Sequence, residues 1–368
     1  MNSLIRVLHT EWSDGWGGQE IRIIGEMIAM RDQGVEVFLA CRENATIHQK
    51  AIENLIPVFV LPFRGNADLG TLFALKKLVK KYQIDIINTH SGKDTWVGGL
   101  AAKLSGIKFI RTRHLSNPIR ANRSNFINEL ADYIFTTGES VRNDMIKFNR
   151  IKPERILSIP TGIDAKIFDP SLYDREVCRQ KFCLQEGIIA IGIIAVLRQF
   201  KRHDLFIKMA ENITKLYPDK DFMFFIAGEG PMKQKIEKWI LDTNLVEKFV
   251  MLGHIDNVAE LLSALDIFTL TSDSKEGVPQ SVIQALLMNK PLVATNIGST
   301  KDLFCENFNL AEADENSLTE AVSDLVRNNQ KRDKFVRFGR NSVLKSFSQE
   351  SMVKNILRVY KGLNIKNN

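Results

Sequence analysis

The stretch Asp266-Ile-Phe-Thr-Leu-Thr-Ser-Asp-Ser-Lys-Glu-Gly-Val-Pro-Gln-Ser-Val-Ile-Gln-Ala-Leu-Leu-Met-Asn-Lys-Pro-Leu-Val-Ala-Thr295 decides the fold that we predict for this chain. Its two ends, 266–270 and 291–295, are short apolar runs typical of buried strands, and 280–288 has helical spacing. Pro279 falls at the start of that helix, where a missing N–H is tolerated. The stretch therefore predicts a strand, a polar loop, a helix and a second strand.

The start of this helix is a candidate binding site for an anion. The N–H groups of Gln280, Ser281 and Val282 would point into the loop, and the helix dipole favours negative charge there. Glu276 lies just ahead of them, and Gln284 lies about 10 Å further along the helix on broadly the same side. We expect the two side chains to contact different parts of one elongated ligand, although a βαβ unit with a polar surface loop would show the same pattern.

Length and composition narrow the class of protein. A chain of 368 residues predicts two domains, and 44% hydrophobic with 25% charged residues is typical of a globular protein. No apolar run approaches the roughly 20 residues of a membrane span, and the first residues show no secretory signal, so the expected location is the cytoplasm. The basic residues are scattered without interleaved aromatics, which argues against nucleic acid as a partner. The spacing of Cys41, Cys178, Cys183 and Cys305 implies neither disulfides nor zinc.

Apolar runs of strand length recur along both halves of the chain, mostly with helix-length segments between them. This alternation is typical of the α/β class and predicts parallel sheets covered on both faces. Pro160, Gly162 and Pro170 interrupt the pattern, and we place an interdomain linker there. The prediction is two doubly wound, Rossmann-like domains at 1–165 and 172–346, with 347–368 forming a last helix that packs back toward the first domain.

Polar and glycine-rich segments follow many of these strands. In doubly wound sheets, ligands bind beyond the carboxyl ends of the strands, so these segments are candidate site residues. Each taken alone also fits an ordinary turn. They comprise Gly15, Gly17 and Gly18 after the first strand, His90 and His114 after two later ones, and, in the second half, Arg198 with Lys201 and Arg202, Gly228 with Gly230, and His254 with Ile255.

Taken together, these motifs resemble the GT-B glycosyltransferases, specifically the large retaining group classed as family four. The segment from Glu276 to Gln284 resembles the E-x7-E element of that family, and the resemblance spans 6–347. The family implies two domains that face a central cleft. The other matching motifs, in the order that the family has them, are Gly17-Gly18, His114, Thr161-Gly-Ile-Asp164, Arg198 with Lys201, and Gly228-x-Gly-Pro231.

The resemblance also implies roles for these residues. Arg198 and Lys201 would hold the diphosphate of a nucleotide-sugar donor, and Glu276 would contact the hydroxyls of its sugar. His114 would approach the transferred sugar from the first domain. The expected donor-binding set is Gly17, Gly18, Gly228, Gly230, His254, Ile255, Ser281, Val282 and Gln284. The chain departs from the family at Gln284, where the second glutamate is expected to bind ribose hydroxyls, so we expect an altered nucleotide affinity.

The family transfers sugars with retention and without a bound divalent metal, so no metal and no cofactor are expected. The acceptor implied is a glycan or a lipid-linked molecule of lipopolysaccharide or cell-surface polysaccharide synthesis. The segment from Leu69 to Tyr82 is basic and amphipathic, which indicates either contact with an anionic membrane surface or a solvated helix face. Two alternatives remain: a sugar-nucleotide epimerase with the same fold, and a non-catalytic nucleotide-sugar-binding protein.

Overall fold

The computed structural model describes residues 4–114, 123–274, 276–303 and 310–363. The chain forms two compact units. The first comprises Met1–Gly162 together with Gln349–Asn368, and the second comprises Ile163–Ser348. The end of the chain thus belongs to the same unit as its beginning; one connection between the units follows Gly162, and the other directly precedes the helix that begins at Gln349.

The first unit is a parallel sheet of seven strands flanked by helices, with the strand order β3-β2-β1-β4-β5-β6-β7. All neighbouring strands run parallel. The strands are β1 (Arg6–Thr10), β2 (Glu36–Cys41), β3 (Val58–Val60), β4 (Ile86–Thr89), β5 (Lys108–Arg113), β6 (Tyr133–Thr136) and β7 (Ile156–Ser158). The α-helices of this unit are α1 (Gly18–Arg31), α2 (Thr46–Glu53), α3 (Leu69–Tyr82), α4 (Gly92–Leu104), α5 (Glu139–Asn149) and, after the second unit, α13 (Gln349–Gly362).

The second unit is a parallel sheet of six strands with the order β10-β9-β8-β11-β12-β13. Its strands are β8 (Ile189–Ile194), β9 (Phe222–Ala227), β10 (Phe249–Gly253), β11 (Ile267–Leu270), β12 (Leu292–Thr295) and β13 (Leu310–Ala311). Its α-helices are α6 (Arg175–Lys181), α7 (His203–Leu216), α8 (Lys233–Leu241), α9 (Val258–Ala264), α10 (Gln280–Leu287), α11 (Glu315–Arg327) and α12 (Asn329–Phe347).

Apolar side chains on successive residues of each strand point to opposite faces of the sheet, so both faces are covered. In the first unit, Val7 packs with Met27 and Ile356 on one face, while Leu8 packs with Leu75 on the other. Helix α13 lies against α1 on the first of these faces. Both sheets are therefore doubly wound and Rossmann-like, as the alternation of strands and helices predicts.

The boundaries of some elements differ from the expectation. Just before Pro160, where we place the start of the linker, Ile156–Ser158 forms the edge strand β7 by pairing with β6. The first helix begins at Gly18, three residues before the apolar periodicity, because the Glu20 carboxylate accepts a hydrogen bond from the N–H of Gly17 at 2.9 Å. Cys41, Cys178 and Cys183 are free thiols, and Cys305 lies outside the described residues.

Candidate functional site

Each sheet reverses its strand order at one place, and most of the candidate residues lie at the carboxyl end of the strands there. In the second unit the reversal falls between β8 and β11, which pair directly. The loop 195–202 follows β8, and the loop 271–279 follows β11. In the first unit the reversal falls between β1 and β4, which are followed by the loop 11–17 and by His90. A crevice at such a reversal is where open α/β sheets bind ligands.

Lys201 and Glu276 form an ion pair across the reversal in the second unit. Nζ of Lys201 lies 2.5 Å from Oε1 of Glu276, and the side chains are only 14% and 7% exposed. The hydroxyl of Ser272 donates a second hydrogen bond to the same carboxylate oxygen. A carboxylate fixed by two donors is preorganised, so it can accept hydrogen bonds from ligand hydroxyls without first having to find its position.

The backbone of Gly298 lies so close to the carbonyl oxygen of Glu276 that residue 298 has no room for a side chain. Gly298 has a φ of +60°, and a Cβ there would lie 2.0 Å from the carbonyl oxygen of Glu276. On the other side of the reversal, the hydroxyl of Thr271 donates to the carbonyl oxygens of Lys201 and Arg202 at 2.8 and 3.0 Å. The two loops are thus connected to each other through the main chain as well as through the ion pair.

Arg198 is exposed and lines an open pocket of about 340 Å³ together with Arg202 and Asp273, whereas neither Lys201 nor Glu276 lines this pocket. Arg202 adopts the left-handed conformation with a φ of +50°, and its guanidinium binds Asp204 at 2.8 Å and Asp273 at 3.2 Å. Arg202 is therefore neutralised by the protein. Among the described residues, Arg198 has no ion-pair partner, and its charge is available to a ligand phosphate.

Glycines bring the loops after β8, β9 and β10 close together. Gly228 has a φ of +141°, and a Cβ there would lie 2.0 Å from the carbonyl oxygen of Ala195; at Gly230 the corresponding distance to the carbonyl oxygen of Leu197 is 2.6 Å. The N–H of Gly228 donates to Gly253 at 2.7 Å. Beyond Gly253, Ile255 packs partly into the core, whereas the side chain of His254 is 64% exposed and lies 3.5 Å from Asp256.

Helix α10 places the rest of the predicted donor set. Pro279 is its N-cap, and the first N–H groups of a helix lack acceptors within it, so Ser281 and Val282 present main-chain donors at this end. The side chain of Val282 is fully buried in the core. Its predicted role can therefore only be carried by its backbone. Gln284 is half-buried one turn further on.

In the first unit, His114 is joined to two other histidines. Nδ1 of His9 lies 2.9 Å from Nε2 of His90, and Nδ1 of His90 lies 2.9 Å from Nε2 of His114. His9 and His90 are each 1% exposed, and His114 is half-buried. Burial lowers the pKa of His9 to about 3 and holds the pKa of His90 and of His114 well below the ordinary value, with Arg111 and Arg22 adding repulsion at both.

A buried carboxylate anchors the loop that carries Gly17 and Gly18. Oε1 of Glu11 accepts from the N–H of Ser13, and Oε2 accepts from the side chain of Gln19, both at 2.6 Å. Burial, with Asp94 nearby, raises the pKa of Glu11 above its ordinary value. Both ends of the glycine loop are therefore fixed to one side chain beneath it.

Several of these residues were not identified from the sequence. Ser272 and Gly298 contact Glu276 only in the folded chain. In the sequence, Glu11 and His9 have no feature that distinguishes them from other residues near the end of a buried strand. His9 could have been identified only from its register with the end of β4. That register follows from the pairing of β1 with β4, which the sequence does not show.

Two models of known families match most of the chain. One, described as glycosyl transferases group 1, matches residues 174–342, and the other, glycosyltransferase family 4, matches residues 16–167. Among curated proteins, an Escherichia coli UDP-Gal:alpha-D-GlcNAc-diphosphoundecaprenol alpha-1,3-galactosyltransferase is 22% identical over 342 residues, which cover 89% of this chain and 88% of the relative.

Solved structures share the fold. A glycosyltransferase from Rickettsia africae superimposes with a TM-score of 0.86 at 18% identity over 100% of both chains. HepE from Anabaena, in complex with UDP and glucose, superimposes with a TM-score of 0.82 at 18% identity, covering 97% of this chain and 100% of that one.

No helix in the described ranges combines the length and apolar composition that crossing a bilayer requires. Within the same ranges, no three side chains of His, Cys, Asp or Glu are grouped so that they could hold a metal ion.

Proposed function

The chain belongs to the family-four glycosyltransferases of the GT-B fold, and from that premise we propose that it transfers a sugar from a nucleotide-sugar, with retention and without a divalent metal, to a glycan or lipid-linked acceptor. The observation that carries this proposal is the pairing of Lys201 with Glu276 at the strand reversal of the second unit. The fixed cation and the first turn of α10 there are complementary to a negatively charged diphosphate, and the fixed carboxylate can accept hydrogen bonds from sugar hydroxyls.

In this proposal the donor diphosphate binds Arg198, Lys201 and the N–H groups of Ser281 and Val282. Charge-assisted hydrogen bonds of this kind are roughly twice as strong as neutral ones. Glu276 accepts hydrogen bonds from the hydroxyls of the transferred sugar, and Gln284 bonds the ribose. The main chain beside Gly228, Gly230 and Ile255 accommodates the base because the glycines allow close approach.

The proposed chemical step forms a glycosidic bond between the anomeric carbon and the acceptor oxygen and breaks the bond between the anomeric carbon and the oxygen of the donor diphosphate. The acceptor oxygen attacks the anomeric carbon on the face from which the diphosphate departs, and the departing phosphate oxygen takes the acceptor proton. Arg198 and Lys201 stabilise the negative charge that develops on the leaving group, which is the contribution that a metal makes in other transferases. His114 donates or accepts a hydrogen bond to the transferred sugar, and no protein nucleophile is required.

The relatives favour a particular donor and acceptor. HepE binds UDP and glucose, which supports a uridine diphosphate hexose as donor. The E. coli relative acts on an undecaprenyl diphosphate carrying a sugar, which supports a lipid-linked glycan of lipopolysaccharide or other surface polysaccharide synthesis as acceptor. Such an acceptor lies in a membrane, so the enzyme would work at the cytoplasmic membrane surface.

Helix α3 offers a surface for that contact. Its outward face carries Leu69 and Phe73, which are 64% and 57% exposed, next to Lys77 and Lys80. Apolar side chains that insert between lipids, beside lysines that bind anionic headgroups, are the features of an interfacial helix. We propose peripheral binding of α3 to anionic lipid.

The proposal is tested by incubating the protein with UDP-sugars and an undecaprenyl diphosphate-linked sugar, and analysing the lipid product by mass spectrometry and NMR. The expected product gains one hexose or N-acetylhexosamine with the anomeric configuration of the donor. Inverted configuration would contradict retention, and loss of activity in EDTA that magnesium restores would contradict metal independence. Conversion of the nucleotide-sugar to its epimer without acceptor would instead show an epimerase.

A further inference from the structure

The three linked histidines occupy three adjacent strands of the first sheet. His9 lies in β1, His90 directly follows β4 and His114 directly follows β5, and β1, β4 and β5 are neighbours in that order. The rings of His9 and His90 meet edge to edge, with centroids 5.2 Å apart and planes 9° from parallel, as an in-plane hydrogen bond requires, and the ring centroids of His90 and His114 are also 5.2 Å apart. The result is one continuous row of imidazoles that ends at His114.

The backbone at the middle of the row is fixed independently of the rings. Oδ2 of Asp94 accepts from the N–H of His90 and from the hydroxyl of Thr10, both at 2.8 Å. Arg111 donates to the carbonyl oxygen of Thr89 at 3.1 Å. His90 therefore cannot move away from His9 and His114 without breaking contacts that also join the ends of β1 and β4.

The environment keeps all three rings uncharged. His9 and His90 are buried, and burial, followed by repulsion from the guanidinium groups of Arg22, Arg111 and Arg113, holds the pKa of His114 well below its ordinary value. A neutral imidazole has one N–H donor and one acceptor nitrogen. A row of three such rings with two hydrogen bonds permits only two arrangements, with all donors pointing toward His114 or all pointing toward His9.

The two arrangements give His114 different properties. If its Nε2 accepts from His90, the proton of His114 is on Nδ1, which then acts as a donor. If its Nε2 donates to His90, Nδ1 is an acceptor. The tautomer of His114 is thus coupled to that of His90, and through His90 to that of His9. Fixing the tautomer and the ring plane of a histidine through its second nitrogen is a recognised way to position it.

We propose that His90, held in turn by His9, is a positioning residue that fixes the ring plane and the tautomer of His114. This inference rests on the proposed contact of His114 with the transferred sugar. His90 and His9 act only through His114 and contact no substrate themselves.

A double-mutant cycle on transferase activity separates this inference from the function on which it rests. His114→Ala is expected to lower kcat/KM by about tenfold or more, and His90→Leu to lower it by a similar factor, mainly through kcat. In the His114→Ala background, His90→Leu is expected to have no further effect, because the ring it positions is gone. His90→Gln, whose amide can still donate and accept, is expected to recover part of the loss.

The outcomes are distinguishable. Wild-type turnover of His114→Ala would overturn the role of His114 itself. If that variant is impaired, the positioning inference is overturned either by full activity of His90→Leu or by an equal loss from His90→Leu in both backgrounds.

A second measurement needs no activity and tests transmission along the row. Imidazole ¹⁵N shifts report which nitrogen of His114 carries the proton, and His9→Leu is expected to change the tautomer ratio of His114 although His9 does not touch it. His48→Leu, at a half-buried position of α2 outside the row, is the control and should leave the ratio unchanged. An unchanged His114 signal in a folded His9→Leu protein would overturn the inference.

Discussion

Nζ of Lys201 lies 2.5 Å from Oε1 of Glu276, and this buried pair joins the loops after β8 and β11 where the strand order reverses. Breaking a buried ion pair from one side leaves an uncompensated charge, which is strongly destabilising. In the proposed complex the two side chains bind different parts of the donor. Lys201 binds the diphosphate, and the Glu276 carboxylate accepts hydrogen bonds from the sugar hydroxyls. In that complex the phosphates and hydroxyls of the donor replace the contact that Lys201 and Glu276 make with each other in the unbound protein.

Gly298 is predicted to be required for activity because it lies against Glu276. Gly298→Ala would place a Cβ 2.0 Å from the carbonyl oxygen of Glu276 at a φ of +60°, so we expect a loss of roughly 2–4 kcal/mol in the free energy of unfolding and a more than about tenfold fall in kcat/KM. Gly187→Ala is the matched control, since Gly187 also has a positive φ but a Cβ there meets nothing within 4 Å. It should cost about 1 kcal/mol and leave turnover unchanged. Equal activity of the two variants would refute the argument.

Gln284 is predicted to tune nucleotide affinity. Gln284→Glu introduces the carboxylate that the family has at this place, and charge-assisted hydrogen bonds to ribose hydroxyls should tighten Kd about threefold to tenfold with kcat within about twofold. Calorimetric titration of the donor measures the first quantity, and initial rates measure the second. Gln234→Glu, on the exposed side of α8, makes the same charge change away from the site and should alter neither. Weaker donor binding in Gln284→Glu would show that the amide itself is the better partner.

Glu11 is predicted to make the first unit less stable as the pH rises. Its pKa is raised from 4.5 to about 8 in the folded chain, chiefly by burial, so the folded state binds its proton more tightly than the unfolded state does. The stabilisation is complete below pH 4.5 and is lost as the pH rises to about 8.

Chemical denaturation across this pH range compares wild type with Glu11→Gln, whose side chain does not titrate. The wild type should lose about 1–3 kcal/mol more than the variant between the two limits. Glu43→Gln, at an exposed position of the same unit, should keep the wild-type dependence. Parallel curves for wild type and Glu11→Gln would mean that Glu11 is ionised throughout.

Helix α3 is predicted to bind anionic vesicles. Phosphatidylserine vesicles should co-sediment the wild-type protein at low salt and release it as salt rises, because each lysine near the surface contributes about 1 kcal/mol that salt screens. Lys77→Glu with Lys80→Glu should lower partitioning by about tenfold or more. Lys215→Glu with Lys238→Glu makes an equal change of charge on exposed positions of α7 and α8. Equal loss in both double variants would indicate a net-charge effect, and failure of the wild type to bind at low salt would remove the membrane contact.

Strand and helix content was predictable because its causes are local. Apolar runs and helical spacing identify most strands of both sheets, and the two runs predicted as strands at 266–270 and 291–295 each exceed the observed strand by one residue at the start. The strands β7 and β13 were not identified, since three and two residues carry too little pattern and depend on their neighbours for pairing. The start of α10 was predictable from Pro279, which is a local signal as well.

The candidate site was predictable only where a loop carries its own signal. Glycines and cations after strands, such as Gly228 and Lys201, stand out in the sequence. Ser272 and Gly298 do not stand out. Ser272 donates to the Glu276 carboxylate and Gly298 lies against the Glu276 backbone, and both contacts exist only once β11 and β12 have paired. His9 likewise joins His90 through sheet order, and sequence spacing of 81 residues contains no trace of that contact.

The most direct test of the central claim is calorimetric titration of a panel of UDP-, GDP- and ADP-sugars into the wild-type protein and into Arg198→Ala with Lys201→Ala. We predict that at least one nucleotide-sugar binds the wild type and that its Kd rises at least about tenfold in the double variant, which loses both cations proposed to hold the diphosphate. Lys208→Ala, which removes an exposed lysine of α7, should bind like the wild type. An unchanged Kd in the double variant, or no binding of any donor to the wild type, would contradict the account.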